Sequence, residues 1–134
     1  MKRALAVFSM IFVLVSCKTA EEALRESGHK PLSATEVKSL ISGNTLIGET
    51  DKGFDYIAYY RPDGTAHLKS KKFDEKGKWR VDQADGYCSQ WTSINDGKEQ
   101  CRRIYKVSSG YQFIRPDGSD SSTFTIEKGN TKNL

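Results

Sequence analysis

From Gly43 onward the chain alternates short apolar and polar runs with a period of two, the signature of half-buried strands. In Lys78–Asp82, Trp79 and Val81 share one face while Lys78, Arg80 and Asp82 share the other. In Tyr87–Thr92, Tyr87, Ser89 and Trp91 oppose Cys88, Gln90 and Thr92. Similar runs at Asn44–Glu49, Phe54–Arg61, Thr65–Ser70, Cys101–Val107, Tyr111–Arg115 and Ser122–Glu127 bring the expected total to about eight strands. The pattern predicts an all-β fold with one short N-terminal helix. Its strands form an antiparallel meander that closes into a small barrel or a strongly curved sheet.

Phe54–Arg61 is apolar on both faces, with Phe54, Tyr56, Ala58 and Tyr60 on one side and Ile57 and Tyr59 on the other. Such a strand needs two covers. The expected covers are the barrel interior and, outside, a helix over Ser33–Ser42. That helix has a full set of start signals. Ser33 and Glu36 make a capping box, and Leu32 and Val37 a hydrophobic staple. Val37, Leu40 and Ile41 then form one apolar stripe, and Gly43 is a C-terminal stop. Between the strands, Arg61-Pro62-Asp63-Gly64-Thr65 recurs as Arg115-Pro116-Asp117-Gly118-Ser119, which predicts type I turns closed by a left-handed glycine. Ala84-Asp85-Gly86 and Asn95-Asp96-Gly97 are related turns.

The start of the chain breaks this pattern. Lys2 and Arg3 precede a nearly continuous apolar run from Ala4 to Val15, followed by Ser16 and Cys17. A run of about a dozen residues is short for a membrane span, which needs roughly 20, but suits a secretory leader. Leu14-Val15-Ser16-Cys17 resembles the lipobox of bacterial lipoproteins. The resemblance implies a leader over 1–16, cleavage before Cys17, and a diacylglycerol on its sulfur. The expected organisation is then a lipidated tether over 17–31 and a β domain with its N-terminal helix over 32–134. Within the tether, Glu21 and Arg25 form a helix-favouring pair. With Cys17 acylated, Cys88 and Cys101 remain as a disulfide pair in an oxidising compartment. A hairpin joining them is centred between Ile94 and Asn95. Either its loop is wide, roughly Ser93–Gln100, or the bridge does not join hairpin neighbours.

Composition narrows the function. The net charge of +4 falls to about +2 once Lys2 and Arg3 leave with the leader, which argues against a nucleic-acid partner. A basic stretch (Lys69, Lys71, Lys72, Lys76, Lys78 and Arg80) reads as a solvated strand edge or as a contact for anionic headgroups or an acidic partner. His29 lies in the tether and His67 alone on a strand; no HExxH, CxxC, GxSxG or phosphate loop occurs. Neither catalytic residues, a metal site nor a cofactor is therefore expected. An acid pair such as Asp82 with Asp85 keeps open a hydrolase acting on the cell wall. The aromatics are the better lead. Tyr56, Tyr60, Trp79, Trp91 and Tyr105, with Arg80, are the candidate lining of a cup for a small apolar ligand. Tyr87, Tyr111, Phe113 and Phe124 also lie on strands, and Gln90 and Arg102 are further rim candidates.

Gly77-Lys78-Trp79-Arg80-Val81, Asp85-Gly86-Tyr87-Cys88, Trp91, Cys101 and Tyr105 resemble a pattern in small exported proteobacterial proteins of unknown function. This likeness spans about Gly43–Tyr111 and implies a secreted, disulfide-bonded β domain without assigning an activity. The Gly-x-Trp triplet also resembles lipocalins and other calycins, although there it opens the first strand and here it falls mid-chain. The combined expectation is a non-catalytic, lipid-anchored binding or envelope-associated module, reached through Cys17 and binding a small apolar ligand or an envelope protein. By resemblance to enterobacterial lipoprotein sorting, where aspartate after the lipidated cysteine retains a protein at the inner membrane, Lys18 implies the inner leaflet of the outer membrane, facing the periplasm. The alternatives are a protein-binding lipoprotein, such as an inhibitor of a cell-wall hydrolase, and the hydrolase using paired carboxylates.

Overall fold

The computed structural model describes residues 11–84 and 86–134. The basic start of the leader and Asp85, with the Asp82–Asp85 pair, lie outside the described residues. Two short helices, α1 (Ala20–Glu26) and α2 (Ala34–Ile41), precede β1 (Asn44–Thr50), β2 (Asp55–Tyr60), β3 (Thr65–Ser70), β4 (Asp74–Asp82), β5 (Gly86–Trp91), β6 (Gln100–Val107), β7 (Gly110–Ile114) and β8 (Asp120–Lys128). The strands form a closed antiparallel barrel in meander order. Closure comes from β1, whose Asn44–Thr50 pair in unbroken register with Lys128–Ser122 of β8. A closed ring leaves no edge to pair with another chain.

Alternation along each strand now sorts inside from outside. Leu46, Ala58, Ala66, Leu68, Trp79, Tyr87, Trp91, Ile104, Phe113 and Phe124 are buried in one core. β4 begins four residues before the expected Lys78. Asp74–Gly77 has the composition of a solvated loop, but β3 supplies the ladder, with Leu68 opposite Glu75 and Ala66 opposite Gly77. The two Pro-Asp-Gly turns use one device at opposite ends of the barrel. Asp63 Oδ1 accepts from the backbone N–H and hydroxyl of Thr65 at 2.9 and 2.7 Å, and Gly64 takes φ +89°. Asp117 does the same for Ser119 at 2.9 and 2.6 Å, and Gly118 takes φ +85°.

α2 carries the expected capping box, with Ser33 Oγ accepting from Glu36 N and Glu36 accepting from Ser33 N. Its placement differs from expectation. Rather than covering the outer face of β2, it packs against β1, β4 and β5. Its fully buried Val37 and Ile41 join the interior cluster with Leu46, Ala58 and Tyr60. The helix therefore plugs one end of the ring, with Leu40, the third residue of its stripe, half-buried against the same cluster. Ile57 and Tyr59 stay half-exposed on the outside.

Cys88 and Cys101 are directly opposed on β5 and β6 and bonded, with Cα atoms 4.0 Å apart. The wide-loop alternative therefore holds, and a 3-10 turn at Ile94–Gly97 fills the loop. Both sulfurs point outward, beside the Arg80–Glu99 pair.

Segment 17–31 is not a free tether from Thr19 onward. Thr19 caps α1 in a second capping box, and the Glu21 amide donates to Gly118 O at 3.0 Å. The Glu21 carboxylate accepts from Arg103 Nε and Nη2 at 2.7 and 2.6 Å, Tyr105 Oη at 2.6 Å and Arg25 Nη2 at 3.1 Å. These donors, Arg103 first, hold the carboxyl at about 2, well below its ordinary 4.5. A carboxyl whose pKa is lowered by folding stabilises the docked state above its unfolded pKa, and loses that contribution as pH falls. α1 should thus stay docked at neutral pH and come free between about pH 4.5 and 2. The shift corresponds to on the order of 3 kcal/mol. Glu21→Gln should reproduce the release at pH 7. Hydrogen exchange over 20–31 is the check: protection indifferent both to pH and to Glu21→Gln would contradict the latch.

Candidate functional site

Plugging one end leaves the other open. The hairpin loops β1–β2, β3–β4, β5–β6 and β7–β8 surround that mouth, and beneath it lies a cavity of about 670 Å³. Small-molecule sites typically enclose 300–1,000 Å³. Its walls are aromatic: Tyr56, Tyr60, Tyr87, Trp91 and Phe113, with Leu68. Tyr60 is the hub. Its ring meets Trp79, Tyr87 and Trp91 edge-on, at centroid distances of 5.9, 5.7 and 6.4 Å. Tyr87 donates to Tyr60 Oη at 2.9 Å and stacks on Phe113 at 5.1 Å. These contacts fix the rings of the floor and satisfy the buried hydroxyls. Burial pushes the phenols of Tyr60 and Tyr87 above their ordinary value.

One glycine makes room for this wall. Gly48 on β1 faces Tyr56 on β2, and a Cβ there would lie 2.4 Å from Tyr56 Cζ. The ring lies over the bare backbone and reaches β8, where Tyr56 Oη and Ser122 Oγ share a hydrogen bond of 2.5 Å. Burial raises the Tyr56 phenol to about 12.

Polar groups collect towards the mouth. Arg102 follows the half-cystine Cys101 and stands opposite Tyr87, which turns its side chain inward. Its Nε donates to Ser121 Oγ at 2.6 Å and its Nη2 to Gln100 Oε1. Both partners are neutral, and among the described residues Arg102 has no ion pair. Burial lowers its proton affinity, and Arg115 adds to that effect. Arg115, at the rim, is instead neutralised by Asp51 at 3.0 Å. Asp51 and Asp55 are the carboxylates of the lining, and both stand at the rim. Glu75 is buried but held by Ser93, whose backbone N–H donates to it at 2.9 Å.

Three of the expected lining residues, Tyr56, Tyr60 and Trp91, meet in this cavity. Three do not. Trp79 points inward but below the cavity floor, with Nε1 donating to Arg61 O at 2.8 Å. Arg80 lies on the outer face, where Glu99 accepts from its Nε and Nη2 at 3.0 and 2.7 Å. Tyr105 also points outward, beneath α1, because Ile104 is its inward neighbour. Of the rim candidates, Arg102 faces in, and Gln90 faces out to donate to Gly97 O at 2.8 Å. Ser89, Ser121 and Ser122, unremarkable in the sequence, complete the polar wall. For Ser89 and Ser122 the signal was alternation with Tyr87, Trp91 and Phe124 on the same strands; Ser121 joins them only because the β7–β8 register skips it. The group Cys88, Glu99 and Cys101 is no metal site, since its sulfurs are bonded to each other.

Comparison of the chain with protein-family models, curated proteins and solved structures finds no match.

Gly48→Ala should force the Tyr56 ring off its bed and break its bond to Ser122. The expected cost is about 1–3 kcal/mol in urea unfolding. The Tyr56 phenol should also titrate closer to its ordinary value of 10 than to 12. Unchanged stability with an unchanged absorbance titration would contradict this role for Gly48.

Proposed function

We propose that this protein is a non-catalytic binding module whose barrel holds an amphiphile: an apolar body against the aromatic walls and an anionic head, such as a carboxylate, on Arg102. The observation that carries the reading is Arg102 itself. A guanidinium held inside a barrel by neutral partners alone is costly. Its planar fork suits a carboxylate or phosphate, which offsets that cost through charge-assisted hydrogen bonds. Ser121 and Gln100, which also line the cavity, hold the group in place. Below, Tyr87, Trp91 and Phe113 offer ring surface to an alkyl or aromatic body. The leader pattern and Cys17 support an envelope lipoprotein anchored at its new amino end.

The test is a titration of the purified full chain with a fluorescent long-chain carboxylic acid and with the alcohol of equal length, alongside native mass spectrometry for a copurified molecule. The acid is expected to bind tenfold or more tightly than the alcohol, in line with about 1.5–3 kcal/mol for a hydrogen bond to a charged group. Arg102→Gln should erase that preference while the barrel still unfolds cooperatively. Ser89→Trp, which fills the cavity, should abolish binding of both probes. Equal affinity for acid and alcohol, or binding that survives Ser89→Trp, would overturn the reading.

A further inference from the structure

Phe54 and Phe73 are 48% and 43% exposed, unlike the other aromatics that follow residue 20. They sit on neighbouring mouth loops, β1–β2 and β3–β4. Lys72 bridges the two loops, its Nζ 4.3 Å from the centre of the Phe54 ring. Lys52, Lys71 and Lys72 are exposed around them. Of the nearby carboxylates, Asp51 is engaged by Arg115 at 3.0 Å and Asp74 by His67 at 2.6 Å, and Asp55 and the exposed Glu49 beside Gly53 are the other two. Two aromatic rings projecting through a collar of lysines match an anionic bilayer surface. The rings enter the headgroup layer and the ammonium groups meet phosphates.

The path of the chain supports the same occupant. The apolar residues Ile11–Val15 are exposed and unpacked against the barrel. They end just before Cys17, and two residues later Thr19 is fixed. Glu21 N donates to Gly118 O in the β7–β8 turn at 3.0 Å. A Cβ on Gly118 would lie 3.0 Å from Thr19 Oγ1. That turn belongs to the mouth end, tied to the β1–β2 loop through Arg115 and Asp51. Whether attachment is by a lipid on Cys17 or by the apolar run itself, it leaves the barrel beside its open end. The residues between attachment and latch are too few to carry the far end round to the membrane.

We infer that the open end of the barrel docks on an anionic bilayer through Phe54, Phe73, Lys52, Lys71 and Lys72, so that the cavity opens onto the lipid surface. An amphiphile could then pass between bilayer and barrel without crossing water. The orientation depends on the amino-terminal attachment but not on the identity of any ligand.

The experiment is hydrogen exchange on the full chain, bound to vesicles of phosphatidylglycerol with phosphatidylethanolamine and, separately, to phosphatidylcholine vesicles. Slowed exchange over 50–55 and 70–74 on the anionic vesicles is expected, with 61–65 and 107–110 at the far end unchanged. Phe54→Ser with Phe73→Ser should return the rim to its solution rate. Lys71→Gln with Lys72→Gln should reduce the docked population by roughly ten- to thirtyfold. Both pairs are surface residues, so the barrel should stay folded. Protection at the far end, equal exchange at both ends on bound chain, or rim protection that persists in the serine variant would overturn the orientation. Ser89→Trp separates the two readings: it should dock like the unmodified chain although it binds no amphiphile.

Discussion

The pairing of β1 with β8 is the contact on which the rest of the molecule depends. Without it the eight strands are a curved sheet with two open edges, and the inward aromatics face water on one side. With it, the inward face becomes an interior. The ring is wider than its own side chains fill, so its two ends meet different fates. At one end α2 inserts Val37 and Ile41 among Leu46, Ala58 and Tyr60 and completes a dry core. At the other end no helix among the described residues enters, and the space above Tyr60 persists as the cavity. Site and core are thus two halves of one interior, divided by the Tyr60 ring and its contacts with Trp79, Tyr87 and Trp91.

Much of this was legible in the sequence because local chemistry controls it. The Ser33–Glu36 box and the two Pro-Asp-Gly turns act within five residues, and they form as their residue types dictate. The strands also follow, except where ladder pairing recruits the polar Asp74–Gly77 into β4. What pattern could not supply was facing and cover. Cys101-Arg102-Arg103-Ile104-Tyr105 holds two adjacent arginines, and alternation alone does not say which one enters the barrel. The opposition of Arg102 to Tyr87, beside the disulfide, decides it. The same step sends Arg103 and Tyr105 outward, where Glu21 waits on α1. Tyr105 was therefore a natural candidate for the lining and is instead part of a clasp. Likewise, the helix stripe of Val37, Leu40 and Ile41 announces that α2 is buried but not whether it covers a face or an end.

Two cationic side chains with opposite settings give the site its character. Arg103 is neutralised by a bidentate carboxylate and works structurally, holding the amino-terminal helix along β6. Arg102, one residue earlier, has neutral partners only and faces the cavity. The first arrangement is complete in charge; the second is the setting on which the proposed anionic head rests. The clasp and the site are also linked in space. By fixing α1 against the β7–β8 turn, Glu21 sets where the amino-terminal segment departs, and that point lies on the side of the open mouth.

The most direct measurement of the central claim is an NMR titration of the isotopically labelled full chain with a medium-chain carboxylate. Filling of the barrel predicts saturable shifts of the Arg102 Nε–H, the Trp91 indole N–H and the Tyr87 amide. The Nε–H signals of the outward-facing Arg80 and Arg103 should stay in place. Shifts confined to Arg80 and Arg103, or no saturable change at Arg102 and Trp91, would contradict it.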